Sequence, residues 1–210
     1  MKLLIFDLDG TILDTLKDLY FSVNYALSEN HFPERTPEEV RQFVGNGIRK
    51  LIERSVPENS TEKQIQQVHQ AFTEYYTVHC RDNTRPYPGI PEVLKTLRKN
   101  GSKLAVVSNK ADYAVQKLCD EYFPNLFDAV AGEREGIRRK PAPDAVQAIL
   151  KELHIQPEQA VYIGDSDVDI LTAENSGMPC ISVTWGFRSR EFLIEHGAQK
   201  LISRPEELLQ

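Results

Sequence analysis

The sequence predicts an α/β protein in which a doubly wound, Rossmann-like parallel sheet is interrupted near its N-terminus by an all-helical cap domain. After residue 84, short continuous apolar runs alternate with helix-length segments, a pattern typical of parallel strands buried on both faces. Between residues 14 and 83, apolar residues recur at helical spacing instead. We therefore expect a core of residues 1–13 and 84–210 and a cap of residues 14–83.

The individual elements follow from the same patterns. In the cap, apolar stripes at helical spacing begin at Leu16, Ile48 and Ile65. Thr36-Pro37 predicts another helix start, because threonine caps helices well and proline is favoured at the first helical position. Five apolar runs predict the strands of the core: Lys2–Phe6, Leu104–Val107, Phe127–Val130, Val161–Ile163 and Cys180–Val183.

Composition limits the function classes. A chain of 210 residues suits one domain with a smaller insert, and its net charge of −6 disfavours nucleic acid and anionic membranes as partners. The N-terminal apolar run is too short for a membrane span or a signal peptide, so we expect a cytoplasmic protein. Three cysteines without a C-x-x-C motif predict reduced packing residues. A monomer and a homodimer both remain open.

Carboxylates follow two of the predicted strands. Asp7 and Asp9 come after the first strand, Asp165 follows Val161–Ile163 with only Gly164 between them, and Asp169 lies one turn into the next helix. Turn chemistry and helix capping could explain each group alone. They do not explain carboxylates that converge at one sheet edge, where repulsion is costly without a cation. Oxygen ligands favour a hard divalent ion, so we expect Mg²⁺.

One further strand end and one helix start carry side chains that could bind an anionic substrate. Ser108 and Asn109 follow Leu104–Val107 and supply a hydroxyl and an expected helix N-terminus for phosphate oxygens. Lys140 precedes a Pro-x-Pro-Asp helix start and can balance several carboxylates and a phosphate. The simpler interpretations are a serine helix cap and a solvated surface lysine.

The stretches "DLDGT", "SN", "KP" and "GDSDVD", in this order, resemble the four motifs of the haloacid dehalogenase (HAD) superfamily. The helical insert after the first motif resembles its C1-type cap. "FDLDGTILDT", "VGNG", "YPGI", "SNK" and "KPAPD" are most similar to the phosphoglycolate phosphatase-like subfamily. Because dehalogenases of this superfamily lack the second aspartate of D-x-D and use no metal, Asp9 and Asp165 favour phosphoryl transfer.

The resemblance implies roles for the core residues. Asp7 would attack phosphorus to form an aspartyl-phosphate, and Asp9 would protonate the leaving oxygen and later activate water. Ser108 and Lys140 would hold the phosphoryl oxygens, with Lys140 also pairing Asp7.

The resemblance also implies a set of metal ligands. Mg²⁺ would be bound by Asp7, by the backbone carbonyl of Asp9 and by Asp165. Asp169 would support the metal or its waters from outside this set, a role that Asp167 could share.

Residues of the cap would determine the substrate specificity. Gly45, Asn46 and Gly47 separate two predicted helices, which glycine at a helix end alone would explain. Arg49 and Lys50 then fall in the first turn of the next helix, where the helix dipole disfavours cations. One of them could therefore face an anionic group of the substrate, such as a carboxylate or a second phosphate.

The leading hypothesis is a Mg²⁺-dependent phosphatase of a small phosphorylated metabolite, with 2-phosphoglycolate as the best guess. A pyrophosphatase, a nucleotidase or a β-phosphoglucomutase would use the same chemistry on another substrate. A catalytically silent binding protein would be expected to lose a motif residue, and all of them are present.

Overall fold

A computed structural model describes residues 2–210 and divides the chain into two compact units. The cap unit is Asp14–Arg85, and the core unit is Pro86–Gln210 together with the described residues up to Leu13. Within residues 2–210, none of the helices combines the length and the apolar character that crossing a membrane requires.

The core unit contains a parallel sheet of six strands in the order β5-β4-β1-β6-β7-β8. The strands in chain order are β1 (Leu3–Phe6), β2 (Leu13–Asp14), β3 (Arg85–Pro86), β4 (Lys103–Ala111), β5 (Ala129–Glu133), β6 (Ala160–Gly164), β7 (Cys180–Val183) and β8 (Leu201–Ile202). β2 and β3 form a separate two-stranded sheet. Since β1 lies between β4 and β6, the strand order reverses there, which is where open α/β sheets place their sites.

The helices are, in the cap unit, α1 (Leu16–Glu29), α2 (Pro37–Phe43), α3 (Gly47–Ser55) and α4 (Glu62–His79), and, in the core unit, α5 (Ile90–Lys99), α6 (Asp112–Tyr122), α7 (Asp144–Leu153), α8 (Asp167–Asn175) and α9 (Arg190–Glu195). Short 3₁₀ turns occupy Pro157–Gln159 and Pro205–Leu209. The helix start predicted at Thr36 is confirmed, because the Thr36 hydroxyl and the Glu39 carboxylate form a capping box.

Both faces of the sheet are covered by apolar clusters. Leu4 and Phe6 belong to one cluster, and Leu3 and Ile5 belong to the other, because successive strand residues point to opposite faces. This burial explains why β1 is an unbroken apolar run, and it confirms the predicted doubly wound sheet. The three cysteines are free thiols, as predicted.

The predicted strand boundaries needed three corrections. β5 begins two residues later than the predicted Phe127–Val130 and continues through Gly132 and Glu133, which an apolar-run criterion does not detect. β4 extends to Ala111, past the predicted Val107, and its register with β5 shifts between these residues. The two-residue strand β8 was not predicted, since so short a segment carries no periodicity.

A buried carboxylate connects the two ends of the cap unit by hydrogen bonds. Asp18 of α1 is 2% exposed and accepts hydrogen bonds from the backbone N–H groups of Asn83 and Thr84 at 2.9 and 2.8 Å. The Asn83 amide and the Thr84 hydroxyl also donate to it, each at 2.8 Å. Asp18 therefore joins the first helix of the insert to the residues that follow α4.

We expect Asp18→Ala to lower the free energy of unfolding by about 3 kcal/mol, because several buried donors lose their acceptor. Urea unfolding would measure the loss, with Asp82→Ala as the control, since Asp82 is an exposed carboxylate of the same segment. The control should change stability by less than about 0.5 kcal/mol. Equal losses in the two variants would contradict this role of Asp18.

Candidate active site

The candidate site lies at the carboxyl ends of three neighbouring strands of the core unit. Asp7 follows β1, Ser108 lies near the end of β4, and Asp165 follows β6. Oxygen atoms of Asp7, Asp165 and Asp169 lie within 4.8 Å of one another. The carboxylates at the two strand ends therefore meet at one point.

A single lysine binds two of these carboxylates. Lys140 Nζ lies 2.9 Å from Asp7 Oδ1 and 2.8 Å from Asp169 Oδ1, and its side chain is 3% exposed. The ammonium also donates to the Tyr162 hydroxyl at 3.1 Å, which in turn donates to the carbonyl of Val107 at 3.0 Å. Lys140 is thus a buried cation that offsets part of the negative charge of the carboxylates around it.

The pKa values at the site reflect this crowding of charge. Burial alone would lower the pKa of Lys140, but the carboxylates of Asp169 and Asp7 raise it well above its ordinary value. Burial raises the pKa of Asp7 well above its ordinary value, with Lys140 opposing the shift and Asp169 and Asp165 adding to it. The cluster therefore favours binding of additional positive charge.

Asp169 is fixed on both of its oxygens. Oδ1 contacts Lys140, while Oδ2 accepts from the backbone N–H groups of Asp165 and Ser166 and from the Ser166 hydroxyl, at 3.2, 3.1 and 2.7 Å. A Cβ atom on Gly164 would lie 2.2 Å from Asp169 Cγ, so this approach requires glycine. Asp167, by contrast, is the partly exposed first residue of α8.

Asp165 is held by partners from two other segments. The Thr11 hydroxyl donates to Oδ1 at 3.1 Å, and the backbone N–H of Phe187 donates to Oδ2 at 2.7 Å. Gly10 has a φ of +85°, and a Cβ atom there would lie 2.4 Å from Asp165 Oδ2. Burial, followed by the charge of Asp169, raises the pKa of Asp165 to about 7.

The donor set fits a hard divalent cation. Asp7, Asp165 and Asp169 offer carboxylate oxygens that are close enough to share one ion, and all three residues are buried. Asp169 is the least available of the three, because its two oxygens already accept four hydrogen bonds, whereas those of Asp165 accept two. The carboxylate of Asp9 lies outside this group and pairs with Lys110 instead.

The residues after Val107 differ in part from the prediction. We expected a helix N-terminus beside Ser108 and Asn109, and this is wrong, because the strand continues to Ala111 and α6 begins at Asp112. The Ser108 hydroxyl accepts the N–H of Lys110 at 3.3 Å. The amide of Asn109 binds both backbone groups of Lys140, at 2.8 and 3.1 Å, and so fixes the segment that carries this lysine.

The predicted substrate-binding residues Gly45, Asn46, Gly47 and Arg49 lie in the cap unit, at the loop before α3 and in its first turn. Arg49 forms ion pairs with Glu53 and Glu62, both at 2.7 Å, and these glutamates raise its pKa. Lys50 pairs with Glu53 at 2.6 Å. These pairs offer another reason for cations at this helix end, so a contact between Arg49 and substrate stays a prediction.

Sequence reasoning missed three residues of the site: Thr11, Lys110 and Tyr162. Tyr162 lies inside a predicted apolar strand and was therefore counted as a core residue. Its hydroxyl needs a hydrogen-bond partner in such a buried position, which was a usable signal. Lys110 directly follows the Ser108-Asn109 pair, and its proximity to the end of a buried strand was a usable signal. Thr11 lies in the quoted stretch "DLDGT", but the sequence does not show that its hydroxyl contacts Asp165.

The chain is similar to known proteins over most of its length. Residues 4–183 match the family model of haloacid dehalogenase-like hydrolases. The phosphoglycolate phosphatase of Aquifex aeolicus is 32% identical over 211 residues, which cover 100% of this chain and 96% of that protein. Phosphoglycolate phosphatase 1 of Pseudomonas aeruginosa is 31% identical and is covered over 78% of its length, against 99% of this chain.

Solved structures are similar over nearly the whole chain. One from Lactobacillus delbrueckii subsp. bulgaricus, assigned as a phosphoglycolate phosphatase, has a TM-score of 0.95 and 42% identity, covering 99% of this chain and 96% of that one. CbbY from Rhodobacter sphaeroides, crystallised in complex with phosphate, has a TM-score of 0.78 and 27% identity, with coverage of 99% and 96%.

We expect Lys140→Met to lower the free energy of unfolding by about 3 kcal/mol at neutral pH without added metal, because two buried carboxylates lose their cation. Urea unfolding would test this. Lys103→Met is the matched control, since Lys103 lies at the opposite end of β4. A loss as small as that of the control would contradict the central position of Lys140.

The raised pKa of Asp165 predicts a pH dependence. Between pH 3.8, the ordinary pKa of an aspartate, and about pH 7, the folded chain holds a proton that the unfolded chain has released, so the free energy of unfolding falls as the pH rises through this window. Asp165→Asn lacks this titration and should gain about 1–4 kcal/mol relative to the unsubstituted protein across the window. Urea unfolding of both proteins with a chelator, near each end of the window, would measure the gain. A constant difference would refute the shift.

Proposed function

The chain belongs to the haloacid dehalogenase-like hydrolases, and on that premise we propose that it is a Mg²⁺-dependent phosphatase of small organic phosphate monoesters, with 2-phosphoglycolate as the leading substrate. The observation that carries the proposal is the meeting of Asp7, Asp165 and Lys140 at one sheet edge. The names of the curated relatives support the choice of substrate.

Asp7 is the proposed nucleophile. One of its carboxylate oxygens attacks phosphorus, and the bond between phosphorus and the ester oxygen breaks, leaving an aspartyl-phosphate. Lys140 orients this carboxylate through its contact with Oδ1 and offsets negative charge as the phosphoryl group approaches. The backbone N–H of Leu8 donates to the same oxygen at 2.7 Å and further fixes its direction.

Asp9 is the proposed acid and base. In the first step its carboxyl group gives a proton to the leaving ester oxygen, so the product leaves as an alcohol. In the second step the Asp9 carboxylate takes a proton from a water molecule whose oxygen attacks phosphorus. The bond to Asp7 then breaks, which releases inorganic phosphate and restores the Asp7 carboxylate.

The remaining residues of the site would bind the phosphoryl group and Mg²⁺ or orient the residues that do. Ser108 supplies a hydroxyl for a phosphoryl oxygen, while Asn109 holds the backbone of Lys140. Asp7, Asp165 and the backbone carbonyl of Asp9 would hold Mg²⁺, which when bound shields the charge of the phosphate from the attacking carboxylate. Asp169 keeps Lys140 and the segment that carries Asp165 in place.

One observation favours a second substrate class. A CbbY variant from Rhodobacter sphaeroides was crystallised with xylulose-(1,5)bisphosphate and is similar to this chain, with a TM-score of 0.76 and 25% identity. A sugar phosphate would use the same residues of the core unit with another leaving group. Pyrophosphate and nucleotides belong in the same test.

We expect phosphate release from 2-phosphoglycolate to require Mg²⁺ and to fall by at least about 10³-fold in Asp7→Asn, because the nucleophile is lost. A colorimetric phosphate assay would compare 2-phosphoglycolate with pyrophosphate, nucleoside monophosphates, β-glucose 1-phosphate and a sugar bisphosphate. Asp120→Asn, which changes an exposed carboxylate of α6, is the matched control.

The ranking of kcat/KM would identify the substrate class. If the unsubstituted protein releases phosphate from none of these compounds with Mg²⁺ present, the proposed function fails. If Asp7→Asn keeps the activity of the Asp120→Asn control, the assignment of the nucleophile fails.

A further inference from the structure

A second buried lysine faces the second aspartate of the D-x-D motif. Lys110 Nζ lies 2.8 Å from Asp9 Oδ1 and 3.1 Å from Oδ2. The exposed fractions of the two side chains are 4% for Lys110 and 15% for Asp9. The ammonium thus binds both oxygens of a carboxylate that retains some access to solvent.

The backbone that carries Lys110 is fixed by its neighbours. Its N–H donates to the Ser108 hydroxyl, and the carboxylate of Asp112 accepts the N–H of Gly132 at 2.7 Å. A Cβ atom on Gly132 would lie 2.6 Å from the carbonyl oxygen of Lys110, so β5 approaches this segment as closely as glycine permits. The end of β4 therefore presents Lys110 in a defined position.

The ion pair between Lys110 and Asp9 is buried, so its formation costs desolvation free energy. An exposed ion pair contributes little to stability, and a buried lysine loses its hydration unless a carboxylate compensates for it. Lys140 already serves Asp7 and Asp169, whereas Lys110 serves Asp9. Each aspartate of the motif thus has a lysine of its own.

We propose that Lys110 is a positioning residue for Asp9, an inference that rests on the proposed phosphatase function. It holds the Asp9 carboxyl group in the direction of the leaving oxygen. It also offsets the negative charge that appears on Asp9 when the proton passes to that oxygen. The contribution of Lys110 to kcat/KM should therefore increase with the basicity of the leaving group.

Three substrates separate this role from others. 2-Phosphoglycolate and ethyl phosphate release basic alkoxides, which need a proton from Asp9, and only the first carries a carboxylate. p-Nitrophenyl phosphate releases a weakly basic phenolate that needs little protonation. The parameter kcat/KM covers only the steps up to formation of the aspartyl-phosphate, so later activation of water does not affect it.

We expect Lys110→Met to lower kcat/KM by about 10–100-fold for both alkyl esters, and by less than about 3-fold for p-nitrophenyl phosphate. Asp9→Asn should give the same order of substrates with larger losses. Lys110→Arg, which keeps the charge, should recover part of the activity toward the alkyl esters. Lys103→Met is the control for removing a lysine from the same strand.

Several outcomes would overturn the inference while leaving the phosphatase function intact. Equal losses for all three substrates in both Lys110 variants would indicate a structural role. A loss confined to 2-phosphoglycolate, expressed as a higher KM with unchanged kcat, would place Lys110 on the substrate carboxylate. An inactive unsubstituted protein would instead refute the proposed function itself.

Discussion

The site depends on the contact between the Lys140 ammonium and the carboxylates of Asp7 and Asp169. Buried charges are costly unless they are paired and hydrogen-bonded, so the residues around this lysine are constrained in number and direction. Asn109 fixes its backbone, Tyr162 accepts from its ammonium, and the start of α8 fixes Asp169. One interaction thereby joins β1, β4, β6 and α8 at a single point.

The site contains two lysine–aspartate ion pairs, and the two aspartates have different proposed roles. Lys140 faces Asp7, the proposed nucleophile, and Lys110 faces Asp9, the proposed acid and base. Two carboxylates so close in sequence would otherwise compete for one cation. Separate partners allow each carboxylate to be oriented for its own step of the proposed two-step hydrolysis.

The fold and the positions of the strand-end carboxylates could be predicted because both follow from local pattern. An apolar run such as Leu3–Phe6 must be buried on both faces, and the residues that follow parallel strands meet at one edge. The pairing of Lys140 with Asp7 was expected from the family resemblance. The partner of Asp9 and the contacts of Lys140 with Tyr162 and Asp169 could not be predicted, because they depend on register between strands. The ion pair between Arg49 and Glu62 likewise depends on where α4 places Glu62, which helical periodicity does not reveal.

The central claim is that Asp7 accepts the phosphoryl group, and chemical trapping tests it most directly. Borohydride reduction of the enzyme, quenched during turnover of its best substrate with Mg²⁺, converts an aspartyl-phosphate to homoserine. Peptide mass spectrometry should then find homoserine at position 7 and aspartate at positions 9, 165 and 169. Homoserine at one of those other positions, or unmodified Asp7 in an enzyme that is turning over, would contradict the account.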